Sequence, residues 1–215
     1  MPAQVRIAGM YEKVADIPNA VVVDTTSKSG QWKDLSPFFL GPYIMPNGQV
    51  SQNFENLWQY AKVYKKFTDE KGNPTPEYFT WAKSGWDNPR AVRYPMGRGA
   101  IPEYSLWKEQ HLGYIEARKA IYGPIYAELV QRTDAYKDLK KIYEESELVI
   151  LRDYDGYNHD KLNMSLTEVV NNPKKKMGHA FVIKMLLTED IAIQEFDVLS
   201  LSSALDVFRS YGFNY

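Results

Sequence analysis

The chain has 215 residues, of which 44% are hydrophobic and 25% charged, a length and balance that suit a globular domain with a sizeable core and argue against wholesale disorder. Its formal net charge of −1 and pI near 6.3 argue against a broad electrostatic footprint for duplex nucleic acid or an anionic membrane, while leaving room for a local basic pocket. With no cysteine, disulfides, thiolate nucleophiles and cysteine metal sites are excluded.

The N-terminal stretch lacks the basic-then-apolar order of a secretory signal, and no run of about 18 apolar residues occurs, so a soluble, cytoplasmic protein is expected. Sixteen Tyr and five Trp supply amphipathic ring surfaces, whose expected use is packing ahead of ligand stacking.

In chain order, Gln4–Tyr11 alternates weakly and reads as a short strand or a docked arm. Ala20–Asp24 is a firmer strand, β-branched and ended by the polar turn from Thr25 to Gly30. Pro37 disfavours helix at Ser36, and the Gly41-Pro42 and Pro46-Asn47-Gly48 breaks bracket a strand around Tyr43-Ile44. From Val50 to Tyr64 the pattern turns helical, with Ser51 the expected N-cap. Phe54, Leu57, Trp58 and Ala61 form a core-facing stripe, and Glu55, Gln59 and Lys62 form a second stripe about 100° around the axis. An acid, an amide and an amine in register beside an apolar face line either a polar cleft or a solvated flank.

After the break at Gly72–Pro76, Glu77–Ser84 reads as helix. The stretch from Gly85 to Pro102 is irregular and holds Arg90, Arg93 and Arg98, and a long loop without structure of its own is often functional. A helix is expected over Glu103–Tyr122, with Leu106, His111 or Leu112, and Ile115 facing inward, and a further helix over Ile125–Leu139 beyond Gly123-Pro124. Glu147–Asp153 is a buried strand ended by Asp153-Tyr154-Asp155-Gly156. Ser165–Val170 reads as a helix turn, Met177–Leu187 as helix or central strand, and Asp197–Tyr211 as a terminal amphipathic helix with Leu201, Leu205 and Phe208 at helical spacing. No repeat, linker or low-complexity tract appears, and one α+β domain spanning residues 1–215 is expected.

No phosphate-binding Walker loop, Rossmann glycine fingerprint, nucleophile elbow or His-Glu-x-x-His helix is present, and the three histidines are dispersed, so neither a metal nor a cofactor is expected. Asp153 and Asp155 stand where a buried strand ends, a place where carboxylates enter clefts with shifted pKa, although Asp-x-Asp-Gly is also turn chemistry. Arg98, between Gly97 and Gly99, suits an anion contact. Lys174-Lys175-Lys176 reads as a solvated turn.

Taken in this order, several pieces resemble the NADAR superfamily (the YbiA-like, NAD- and ADP-ribose-associated proteins). Leu35-Ser36-Pro37-Phe38 stands where that family has a Leu-Ser-Asn-Phe-like segment, with Pro37 in place of the Asn. Glu55, Gln59 and Lys62 match the spacing of its Glu–Gln–Lys helix, with Ser51 one turn further upstream than the pattern. Gly97-Arg98 and Trp107 are similar to its next segments, Asp153 and Asp155 to its strand-ending acids, and Met177-Gly178-His179 to its last core element, while Gly156-Tyr157 replaces an expected Trp-Gly.

The resemblance covers about residues 20–190, with an N-terminal arm and a C-terminal helix outside it. It implies a largely helical α+β domain with a small sheet, and N-glycosidase chemistry on the bond between a nucleobase and a ribose phosphate. Carboxylate work then falls to Glu55, Asp153 and Asp155. Substrate binding falls to Ser36, Gln59, Lys62, Arg98, Trp107 and Trp32, with Trp32, Trp58 or Trp107 as base-stacking rings. The implied partner is a small nucleotide or ADP-ribosyl substrate, free or carried on nucleic acid, with no membrane. A nucleotide-binding protein without turnover and an interaction protein with a Tyr-rich surface are the alternatives.

Overall fold

The computed structural model describes residues 3–14 and 17–196. In chain order the elements are β1 (Gln4–Gly9), β2 (Ala20–Asp24), β3 (Tyr43–Ile44), β4 (Val50–Ser51), α1 (Phe54–Tyr60), β5 (Lys62–Val63), α2 (Pro76–Trp86), β6 (Tyr104–Trp107), β7 (Gln110–Leu112), α3 (Tyr114–Ala117), α4 (Gly123–Gln131), α5 (Asp134–Glu145), β8 (Leu148–Asp153), α6 (Leu166–Asn171) and α7 (His179–Thr188). The fold is therefore α+β, rich in helix with small sheets. Among the described residues no helix is long and apolar enough to cross a membrane. The helix expected over Asp197–Tyr211 lies outside the described residues.

The chain forms two compact units. One takes residues up to Pro37 and from Tyr126 to Phe196, the other Phe38–Ile125. In the first, β8 runs parallel between β1 and β2, with Val149 opposite both Val5 and Val21. A central parallel strand is covered on both faces, which is why Leu148-Val149-Ile150-Leu151 reads as an unbroken apolar run rather than an alternation. α7 packs on β1 and β8. It is buried nearly all round, a helix rather than the central strand its apolar run equally allowed. Thr133 caps α5 by accepting from Tyr136 N, so the helix expected through Ile125–Leu139 is broken at Arg132-Thr133. Ser165 and Glu168 form a reciprocal capping box on α6.

In the second unit, β3 and β4 pair across the Asn47-Gly48 turn, and β5, β6 and β7 form an antiparallel sheet. The helix expected over Glu103–Tyr122 is corrected: its first half is the β6–β7 hairpin. Tyr104-Ser105-Leu106-Trp107 has the aromatic character of a strand. Lys108 and Glu109 both take left-handed φ (48° and 64°), as a two-residue hairpin turn needs, without the Asn-Gly that would announce it. Of His111 and Leu112, one of which is expected inside, Leu112 is half-buried and His111 is exposed on the sheet, with its ring stacked 3.8 Å from that of Tyr104. Helix resumes at α3 and passes into a π-helical turn over Arg118–Tyr122.

Much of the aromatic share is packing in this unit. Trp81 of α2 meets Tyr60, Phe67 and Tyr64 at centroid distances of 4.6, 4.9 and 6.0 Å. The Tyr78 hydroxyl donates to the carbonyls of Tyr60 and Ala61, satisfying groups that the end of α1 leaves open. Gly85 lets α1 and α2 touch: a Cβ there would fall 2.1 Å from the Tyr60 ring.

Candidate functional site

α1 is short because its caps stand close together. Asn53, two residues past the expected Ser51, accepts from Asn56 N as N-cap, and the helix ends at Tyr60 with Ala61 as C-cap. Ser51 instead donates to Asn53 O from a fully buried position. Every α1 residue except Trp58 is buried. That settles one question the periodicity left open, because Glu55 (6% exposed) and Gln59 (9%) are not a solvated flank.

Glu55 Oε1 accepts from Gln59 Nε2 at 2.9 Å, and Gln59 Oε1 accepts from Lys62 Nζ at 2.7 Å. The two neighbours fix which end of the Gln59 amide faces which way, since a carboxylate can only accept and an ammonium can only donate. Lys62 is not on the helix, as the stripe implied, but opens β5, and its ammonium reaches back to Gln59 and lies 4.8 Å from the centre of the Trp58 ring. Trp58 also meets the Tyr122 ring edge-on at 5.2 Å. Tyr122 closes the π-helical turn that Arg118 opens. The Arg118 side chain is buried (2% exposed), with its guanidinium 4.6 Å from the Tyr114 ring. π-turns recur at functional sites because the extra residue re-aims side chains. The result is a buried acid and amide in series with a half-buried amine, beside the Trp58 ring.

The other expected residues of this unit sit on different elements. Arg98 is exposed at the tip of two successive turns, between Gly97 and Gly99, both with left-handed φ near 89°. Trp107 ends β6 and is 7% exposed, which leaves little ring face for a stacked base, and its indole nitrogen is buried without a hydrogen-bond partner.

In the first unit, Asp153 is 3% exposed and its carboxylate serves the architecture. Oδ2 accepts from Ala180 N in the first turn of α7 at 3.2 Å and lies 3.2 Å from His179 Nδ1, while Oδ1 accepts from Asp155 N at 3.2 Å. A Cβ on Gly178 would stand 2.1 Å from Oδ2, so the glycine makes room for the carboxylate. His179 Nε2 is 2.8 Å from both the hydroxyl and the carbonyl oxygen of Thr25. Because that hydroxyl donates to Arg152 O, the imidazole supplies the proton to Thr25. Asp, His and Thr thus share a line familiar from nucleophilic catalysis, but Thr25 is fully buried and its hydrogen is already committed.

Burial pushes the Tyr126 phenol well above its ordinary value, with the Asp153 charge and Tyr136 adding to the shift; its hydroxyl donates to Leu35 O at 2.6 Å. Asp155 is half-buried, with Lys176 Nζ 3.6 Å from Oδ1. Ser36 is buried and terminates the 3-10 turn of Gly30–Leu35, on which Trp32 is half-exposed. Among the described residues no group of three or more His, Asp or Glu side chains is gathered to hold a metal ion.

Sequence reasoning missed Arg118, Asn56, and the buried pair Lys184–His159, whose Nζ and Nε2 are 2.8 Å apart. Arg118 had a signal in its i, i+4 spacing from Tyr114, and Asn56 in standing one turn after the Asn53 cap. The Lys184 contact joins positions 25 residues apart and has no local signature.

Fold and site together define an α+β protein whose distinguishing feature is an acid–amide–amine row, buried at Glu55 and Gln59 and half-buried at Lys62, carried by a short helix and the strand that follows it. Residues 7–183 match the family of unknown function DUF6939, and the chain belongs to that family. No curated protein and no solved structure matches the chain.

Proposed function

We propose that the protein is a carboxylate-assisted N-glycoside hydrolase, requiring no metal, that cleaves the base–ribose C–N bond of an ADP-ribosylated or phosphoribosylated nucleobase. The observation that carries this reading is the burial of Glu55 in series with Gln59 and Lys62. Breaking a C1′–N bond develops oxocarbenium charge on the sugar, and a carboxylate held away from bulk water stabilises that charge or takes a proton from the attacking water. The water oxygen bonds to C1′, the C1′–N pair leaves with the base, and the base nitrogen regains a proton. In this reading Glu55 is the base, Gln59 keeps its carboxylate in one orientation, and Lys62 meets a phosphate oxygen. Trp58, half-buried beneath the Lys62 ammonium, is a better ring for the base than Trp107. Asp153 then serves as a support of the fold.

Incubation with ADP-ribosylated DNA, NAD and phosphoribosylated pyrimidines, followed by chromatography of released base, tests the reading. Release from at least one is expected, and release from none sinks the hydrolase. A second reading, a nucleotide-binding protein without turnover, draws on the fact that Glu55 Oε1 is already occupied by the Gln59 amide. Saturable nucleotide binding without base release would favour it.

A further inference from the structure

Asn56 is fully buried on α1, and three hydrogen bonds of its side-chain amide go to one loop. Its Nδ2 donates to Asn88 O at 3.0 Å and Arg90 O at 2.9 Å, and its Oδ1 accepts from Val92 N at 2.8 Å. Asn53 adds a bond from Nδ2 to Asn88 O at 3.2 Å, and Asn88 Oδ1 accepts from Arg90 N. A buried amide that lost these partners would carry a penalty of about 1–3 kcal/mol, so the side chain and the loop backbone hold each other in one arrangement. Glu55 lies between the two asparagines in sequence, so the segment 88–92 is tied to the helix that bears the buried carboxylate.

The pinned segment opens a cationic stretch. Arg90, Arg93 and Arg98 occur with no Asp or Glu from Asn88 to Pro102, in a chain whose net charge is −1. Arg90 and Arg98 are exposed, and Arg93 is half-buried with its guanidinium 5.5 Å from the Tyr94 ring. Guanidinium groups match phosphate oxygens two at a time, and a loop fixed beforehand loses less entropy on binding than a mobile one.

We propose that the loop 88–99 is a preformed subsite for a diphosphate, contacted by Arg90, Arg93 and Arg98, and that Asn56 is its positioning residue. The proposal rests on the hydrolase reading only for its substrate class, since an ADP-ribosyl group carries a diphosphate. Three arginines in one loop of a chain whose net charge is −1 suit a compact anion better than a nucleic-acid backbone.

Calorimetry of the full chain with inorganic pyrophosphate tests it. The wild type binds saturably, and Arg93→Gln weakens binding roughly tenfold or more, as expected for loss of a charge-assisted contact. Asn56→Leu weakens it comparably, and the double variant binds about as poorly as the weaker single, because Asn56 acts through the arginines. A purely structural Asn56 would instead give additive losses. The triple change Arg90→Gln, Arg93→Gln and Arg98→Gln alters two exposed positions and one half-buried one, and abolishes binding with an unchanged circular dichroism spectrum.

No saturable binding by the wild type, binding retained in the triple variant, additive losses, or tighter binding of a single-stranded oligonucleotide than of pyrophosphate would each overturn the proposal. Pyrophosphate binding without base release sinks only the hydrolase. Base release with KM unchanged in Asn56→Leu sinks only the subsite.

Discussion

Two buried carboxylates, one in each unit, are held in opposite ways. Asp153 accepts locally from Asp155 N, but its Oδ2 is gripped by groups distant in sequence: the Ala180 N–H at the start of α7, His179, and the space that Gly178 leaves for it. Glu55 accepts a hydrogen bond from Gln59, four residues on, and through that amide is linked to Lys62. A carboxylate bonded to backbone and to another element is a joint of the fold, and moving it would disturb α7. One bonded to a neighbouring side chain on its own helix can change partners when a substrate arrives. Under the proposed hydrolase reading Asp153 belongs to stability and Glu55 to chemistry, and the contrast can be broken from either side.

The largest effect expected is on turnover. Glu55→Gln keeps the volume and can still accept from Gln59, so the melting temperature should move little while base release falls by roughly 100-fold or more, the usual contribution of a general base. A fall of less than about tenfold, near 1.4 kcal/mol of barrier, would remove Glu55 from that role. The complementary change is Asp153→Asn. It puts an NH₂ group where Oδ1 or Oδ2 accepts from Asp155 N and Ala180 N, and it removes the charge facing His179. Losing a charged cap and its buried partner is expected to lower stability by about 2–4 kcal/mol. For a chain of this length that is a drop of roughly 4–16 °C by calorimetry. Turnover per folded molecule should be kept, and a stable but inactive Asp153→Asn protein would reverse the two assignments.

The same contrast explains what could be read from the sequence. β2, β8, α2 and α6 were legible because each carries its own signal: a β-branched or apolar run, a proline at a helix start, or the Ser165–Glu168 capping pair. The β6–β7 hairpin was not, since Lys108 and Glu109 adopt left-handed backbone that their side chains do not favour and that only the surrounding sheet imposes. The Glu55–Gln59–Lys62 row was legible as spacing, yet the burial of Glu55 and Gln59 was not, because whether a polar stripe is wet depends on what packs over it and spacing along one helix does not carry that. Asp153 could be placed at a strand end, but its bond to α7 spans 27 residues and leaves no local trace.

A third carboxylate sharpens the comparison with the smallest effect. Glu128 on α4 has its Oε1 paired with Arg132 at 2.5 Å, while Oε2 is buried without a hydrogen-bond partner. Burial raises its pKa above the ordinary 4.5, and the Arg132 charge opposes that rise without cancelling it. With the folded pKa above the unfolded one, the native state keeps a proton that the unfolded chain has released. Stability from this group is therefore full below about pH 4.5 and declines as pH rises through the folded pKa. Glu128→Gln removes the cost of the ionised form but also the pairing with a half-exposed Arg132, which is worth only a few tenths of a kcal/mol. The net expectation is a small rise in melting temperature at pH 7. The gain should shrink as pH falls toward 4, where the native and unfolded glutamates both take up protons. A lower melting temperature at pH 7 would mean that the Arg132 pair outweighs burial. Glu128 would then be, like Asp153, a carboxylate that the fold requires in its charged form.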